Sequence, residues 1–340
     1  MIWKNADICG AAELFANEDG SVSWRRVPKA VYDTLESDLG RSMAGICTGV
    51  ELRFVLKGDK AVIRMCTVHG GGVFHVFRGG IQGSSRDHEN HTTVGKAVED
   101  FVIERSSHRE ELKIMTEKLG LAFDSEVIRV IFDRGRFKLF DIIGDVEPPK
   151  PEQYPAKTLL CYGSSITHGS NSIDMSHAWT SLLGHNLKMD VRNLGMAGSC
   201  AMEPEMIEYI AAEGEAGRWD AAILELGINV LSWEDDEIRD RVKNTICQVA
   251  GRNPQKPVVV ISPFYYCGDD FETHNNGDRW RRLVRQVVEQ LQYPNVTYIN
   301  GRDVLTDMSY MSADLVHPNI HGVQRIAEYL TTHMRRENFA

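Results

Sequence analysis

The sequence predicts an α/β protein in which a parallel sheet, covered by helices on both faces, follows a smaller β-sandwich. Three observations carry this. From about residue 157 onward, short apolar runs alternate with helix-length amphipathic segments, the rhythm of parallel strands joined by helical crossovers. Before about residue 145, polar and apolar residues alternate over strand-length runs instead. Between the two lies Glu147-Pro148-Pro149-Lys150-Pro151-Glu152-Gln153-Tyr154-Pro155, where prolines favour extended backbone and cannot donate to a ladder. The expected division is therefore a sandwich over residues 1–146, a stiff linker over 147–156 and an α/β domain over 157–340.

In the first half the expected strands are 50–56, 61–66 after a Gly-Asp turn, 72–77, 98–104, 127–132 and 136–143, with one short helix over 28–39 ahead of them. The Gly70-Gly71-Gly72 and Gly79-Gly80 runs lack the Lys-Ser/Thr ending and the following helix of a phosphate loop, so they read as hairpin turns. In the second half the expected strands are 158–162, 191–194, 221–226, 258–262 and 296–299. The expected helices are 176–188, 203–215, 234–251, 278–291 and 319–335.

Composition narrows the class of function. The 340 residues are 42% hydrophobic and 25% charged, which suits a packed soluble protein. A net charge of −10 without a Lys/Arg cluster argues against a nucleic-acid partner. The seven cysteines lack CxxC spacing and sit mostly in apolar runs, as buried thiols do. No basic-then-apolar leader opens the chain and no apolar run reaches membrane length. The expectation is a cytoplasmic protein with no membrane partner; a homo-oligomer stays open.

Four short stretches stand at predicted strand ends or just before a helix: Gly163-Ser164-Ser165-Ile166-Thr167, Asn193-Leu194-Gly195-Met196-Ala197-Gly198, Gly227-Ile228-Asn229 and Asp314-Leu315-Val316-His317-Pro318. Each has a plainer explanation taken singly. A serine in a strand–helix turn is commonly a cap, an Asn after Gly a turn residue, and Asp-x-x-His a capping turn. In this order, however, the chain resembles the SGNH hydrolases, the esterase superfamily also called GDSL hydrolases, over about residues 157 to 336. That resemblance implies a flavodoxin-like α/β/α domain. It also implies Ser165 as nucleophile, His317 as base oriented by Asp314, and Gly198 and Asn229 as oxyanion-hole donors beside the Ser165 amide, with neither cofactor nor metal.

The chemistry gives these roles a reason. An imidazole can take the hydroxyl proton and return it to a leaving alkoxide, while a carboxylate holds its tautomer. A Gly lets backbone approach substrate closely, and an Asn amide is a neutral donor for developing negative charge. The chain departs from the pattern at Ser164 and Val230, both positions where an Asp is common, and Ser164 is an alternative nucleophile. His168, Asp174, His177 and Trp179 are candidate pocket residues. Pro263-Phe264-Tyr265-Tyr266 could stack on a sugar ring or cap the core. His321 lies one helical turn after His317, without further residues placed for zinc. A β-sandwich ahead of such a domain resembles some carbohydrate esterases. The implied activity is removal of a short acyl group, acetyl above all, from a carbohydrate or small-molecule ester. The alternatives are a lipase, lysophospholipase or thioesterase, or a non-catalytic glycan-binding protein.

Overall fold

A computed structural model describes residues 1–271 and 276–336. In the second half, strands Thr158–Gly163, Asp190–Gly195, Ala221–Glu225, Val258–Ile261 and Val296–Ile299 form one five-stranded parallel sheet. Counted in chain order, their spatial order is 2-1-3-4-5. The three inner strands read as nearly continuous apolar runs because both faces are covered. Leu160, Tyr162, Ala222, Leu224, Val258 and Val260 pack in one apolar cluster with side chains of helices Pro204–Glu215, Asp235–Val249 and Asn276–Leu291. Their alternating neighbours Leu159, Cys161, Ala221, Ile223, Val259 and Ile261 pack with helices Trp179–Leu187 and Ile320–Arg336. The expected α/β layering is thus present, and the expected helices and strands agree with the observed ones to within a few residues at each end.

The first half is an antiparallel assembly of eleven strands that folds around its own core of Leu52, Phe54, Ile63, Phe74, Val130, Phe132 and Leu139, among others. Three expectations change there. The Gly-Asp turn does not exist, because Glu51–Thr67 is one strand of 17 residues. Lys57, Gly58, Asp59 and Lys60 are its most exposed part, and its flanks pair differently: 51–55 with Val127–Phe132, 60–65 with Glu99–Glu104. The polar stretch therefore marks a passage between pairing partners, stabilised where Arg105 donates to the carbonyls of Lys57 and Gly58. Gly70-Gly71-Gly72 is likewise no hairpin turn, since Glu51–Thr67 and Gly72–Arg78 have no register with each other. The single helix over 28–39 is two, Lys29–Thr34 and Asp38–Ala44, separated where Leu35 turns extended and Ser37 caps the second through Gly40 N.

Four strands before residue 26 and the helix Arg109–Leu119 escape the sequence reading. They are short, or amphipathic with no buried residue, so periodicity is weak. The proline-rich stretch carries a 3-10 turn at Pro151–Gln153, whose Gln153 carbonyl accepts from Asp124 N. Tyr154 donates to Asp7.

The two halves meet through buried polar contacts rather than apolar ones alone. The guanidinium of Arg26 is fully buried and donates to the carbonyls of Met43 (2.6 Å), Ile46 (2.8 Å), Gly195 (2.9 Å) and Asn193 (3.0 Å). Burial lowers its pKa to about 10, which leaves it a cation at neutral pH. At the other sheet edge Arg53 grips Asp190 with two bonds of 2.6 and 2.7 Å. Val27, Val31, Leu35 and Ala44 join the apolar cluster of the α/β half. Arg26→Met would remove all four bonds and leave the buried carbonyls of Asn193 and Gly195 without this donor. The expected result is a loss of about 3 kcal/mol or more, read as a lower denaturation midpoint at unchanged slope.

Candidate active site

A 2-1-3-4-5 sheet has its topological switch point between strands 1 and 3, where the crossovers diverge and leave a crevice at the carboxyl edge. Here those strands are Thr158–Gly163 and Ala221–Glu225. Ser165 follows the first and Asn229 the second, and the Gly195–Gly198 loop leaves the neighbouring strand on the far side. Chain order alone separates these groups by scores of residues; the parallel register brings them to one edge.

Ser164 is the N-cap of the short helix Ser165–His168 and accepts from Ile166 N through its hydroxyl. Ser165 is therefore the first helical residue, with an N–H that has no acceptor within the helix. Asn193 fixes this helix from the adjacent strand, donating to the Thr167 carbonyl (2.7 Å) and accepting from Gly195 N (2.8 Å). Trp179 Nε1 donates to the Ile166 carbonyl at 3.0 Å.

His317 Nε2 lies 2.8 Å from Ser165 Oγ, and His317 Nδ1 lies 2.8 Å from Asp314 Oδ2. A carboxylate only accepts, so Nδ1 carries the proton and Nε2 is left as the acceptor for the Ser165 hydroxyl. Asp314 is itself held: Oδ1 accepts from His317 N (2.9 Å), Val316 N (3.0 Å) and the Ser312 hydroxyl (2.9 Å), and Oδ2 from Asn171 Nδ2 (2.8 Å). Partial burial works against its charge, but these bonds outweigh it and hold the carboxyl well below the usual range. Asp314 thus stays ionised across neutral pH. The turn closes through Leu315 at φ 61°, whose carbonyl accepts from Cys267 N at 2.8 Å. Asp314 is at once a capping residue and the partner of His317, so the plain reading and the chemical one are both present.

Gly198 has φ 67°, a left-handed conformation that favours glycine. A Cβ there would meet Leu39 Cδ2 at 3.0 Å, which places the helix Asp38–Ala44 of the first half beside this loop. Gly227 has φ 115° and introduces the 3-10 turn Ile228–Val230, packed under Trp280, whose Nε1 donates to the Val230 carbonyl at 3.1 Å. The side-chain oxygen of Asn229 accepts from Cys200 N at 3.1 Å, which orients the amide and joins the second and third stretches.

Several sequence expectations are redirected. Ser164 is no alternative nucleophile: it is 1% exposed, and its hydroxyl is bonded to Glu225 Oε2 at 2.7 Å. His168 is buried and bonded to Thr48 of the first half at 2.8 Å. Asp174 caps the turn Met175–His177 and accepts from the His177 ring. Phe264, Tyr265 and Tyr266 are all buried, so they cap the core instead of offering a stacking surface. His321 is exposed, and no group of metal-ligating side chains occurs among the described residues. No sequence pattern marks Glu225, Asn171, Ser312 or Arg26: Ser312 acts within its own turn, whereas Glu225, Asn171 and Arg26 act on segments far away in the chain.

A cleft of about 500 Å³ lies elsewhere, at the end of the parallel sheet marked by Asp190 and between Phe77, Phe123 and Leu182. Of the candidate pocket residues it holds His177, and it contains none of Ser165, Gly198, Asn229, Asp314 and His317. No helix among the described residues is long and apolar enough to cross a membrane.

Residues 156–335 match the model of the GDSL-like lipase/acylhydrolase family. A search of curated proteins finds no match. Among solved structures the chain is similar to the salicylyl-acyltransferase SsfX3 from a tetracycline biosynthetic pathway, at TM-score 0.76 and 16% identity, covering 98% of this chain and 95% of that one. It is also similar to a family two carbohydrate esterase from Cellvibrio japonicus (TM-score 0.66, 12% identity, 98% and 95% covered). A third is an acetyl xylan esterase from the rumen bacterium Butyrivibrio proteoclasticus (TM-score 0.59, 11% identity, 99% and 97% covered). At these identities the likeness is one of fold, and it extends through the N-terminal half. The matched family model spans more than half of the 340 residues and contains all four stretches read from the sequence, so the chain belongs to the GDSL-like lipase/acylhydrolase family.

Proposed function

We propose that this protein is a serine esterase that removes a short acyl group, acetyl above all, from an oxygen of a carbohydrate or other small molecule. The observation that carries the reading is the unbroken hydrogen-bonded line Ser165–His317–Asp314. Ser165 Oγ attacks the ester carbonyl while His317 Nε2 takes its proton; the imidazolium then protonates the leaving alkoxide, and an acyl-enzyme remains. Water enters, loses a proton to His317, and the second tetrahedral intermediate releases the acid and restores Ser165. In both intermediates the N–H groups of Ser165 and Gly198 and the amide of Asn229 face the developing charge.

Leu39 beside Gly198 supports a role for residues 1–146 as one wall of the site, with 147–156 joining them to a catalytic domain over 157–340. Seven unpaired cysteines fit a reducing, cytoplasmic setting.

A series of p-nitrophenyl esters tests the acyl preference. The expected kcat/KM is highest at acetyl and falls about tenfold or more by C8, as added methylenes outgrow the site. A maximum at C8 or beyond would replace the short-chain reading with a lipase or thioesterase. Running the acetyl ester with acetylated xylooligosaccharides and free sugars present distinguishes release of acetate from transfer to an acceptor.

A further inference from the structure

We propose that Glu225 is a positioning residue of this site: its buried carboxylate holds the residues on either side of Ser165 and so sets where the Ser165 hydroxyl meets His317. The inference rests on the reading of Ser165 as nucleophile.

Glu225 ends the strand next to the one that delivers Ser165, and it is fully buried. Its Oε2 accepts from Ser164 N at 2.7 Å, from the Ser164 hydroxyl at 2.7 Å and from the Thr167 hydroxyl at 3.1 Å. Main chain and side chain are thus gripped immediately before Ser165, and side chain again two residues after it. The packing leaves little freedom, because a Cβ on Gly163 would lie 2.6 Å from the same oxygen.

Among the described residues no ion pair forms with this carboxylate. The groups bonded to it are hydroxyls and main-chain N–H from residues 164–167; from the loop after Gly195, the Cys200 thiol lies at the main-chain carbonyl of Glu225, its Sγ 3.9 Å from that oxygen. Burial pushes that thiol far above its usual range, so it stays neutral. The second carboxyl oxygen, Oε1, is buried without a partner among the described residues. Such a placement is among the costlier ones in a fold. An amide oxygen would accept the same three bonds without a buried charge; what the carboxylate adds is charge-assisted bonding, roughly twice as strong as neutral bonding.

Burial raises the Glu225 carboxyl to about 7 against the opposing pull of its bonds to Ser164 and Thr167. The grip on Ser164 is therefore tight above neutral pH and slackens as the carboxyl takes up its proton.

The test compares the full chain with its Glu225→Gln and Ser164→Ala variants on p-nitrophenyl acetate, recording kcat and KM between pH 5.5 and 8.5 and a thermal melt for each. At pH 8.5 Glu225→Gln is expected to lower kcat roughly tenfold, as a small misplacement of the reacting oxygen does, with KM within about twofold. The ratio of wild-type to variant kcat should then shrink towards one at pH 5.5, where the wild-type carboxyl is neutral too. A merely structural glutamate would not produce that convergence. Ser164→Ala, which removes one of the three bonds and also the cap on Ile166 N, should show a loss with the same pH trend, and that trend decides the matter if Glu225→Gln fails to fold. Ratios that stay flat across the pH range, or unchanged kcat at pH 8.5, overturn the inference. Turnover that survives in Ser165→Ala overturns the underlying nucleophile reading instead.

Discussion

Ser165→Ala is expected to lower kcat by roughly 10⁴-fold or more, the loss typical when a serine nucleophile is removed from its triad. Without Oγ no acyl-enzyme forms, and His317 can only activate water from an unfavourable position. The fold should be unaffected, because Ser165 is the first residue of its helix, and the cap that starts the helix is Ser164. Two measurements check this together. Steady-state turnover of p-nitrophenyl acetate should fall to near background, and a fluorophosphonate probe that labels the wild-type protein should leave the variant unlabelled. Labelling that persists in Ser165→Ala would move the nucleophile to another residue.

Asn229→Ala is the second large effect, with an expected loss of about 10²- to 10³-fold in kcat and little change in KM. That is the signature of a donor whose bond matters mainly in the transition state. The side chain has a second task, since its oxygen accepts from Cys200 N and ties the Gly198 loop to the Gly227 turn. Asn229→Asp separates the two roles. It keeps an acceptor for Cys200 N but replaces the donor with negative charge beside the developing oxyanion. Its kcat should therefore fall at least as far as that of the alanine variant, while its melting temperature stays closer to wild type. Near-normal turnover in the aspartate variant would remove Asn229 from the oxyanion site.

Much of this architecture is legible along the chain because the physics that builds it is local. The inner parallel strands are buried on both faces, so they appear as short, nearly unbroken apolar runs such as Val258–Ile261. The helices between them carry one apolar stripe each and announce themselves by period. The N-terminal half is harder. A strand that changes partners midway, as Glu51–Thr67 does, exposes polar residues at the change and imitates a turn. Helix Arg109–Leu119 has no fully buried residue and so leaves only a weak apolar pattern.

The same distinction runs through the site. By itself the sequence marked the candidates for reactive groups: Ser165 in a strand–helix turn, Asn229 after a Gly, and Asp314 three residues before His317, a spacing short enough to form its own hydrogen-bonded turn. The resemblance puts Ser165 ahead of Ser164, and the physical reason for that choice lies in the tertiary structure. It turns one hydroxyl into the core and the other towards His317, although both are serines with the same intrinsic chemistry. The support around them is equally invisible in one dimension, since Glu225, Asn193 and Arg26 reach the nucleophile segment and its neighbouring loop only across strands and between halves of the chain. A hydroxyl's reactivity depends on what lies within about 3 Å of it, and for residues far apart in sequence the register of the parallel sheet decides which groups those are.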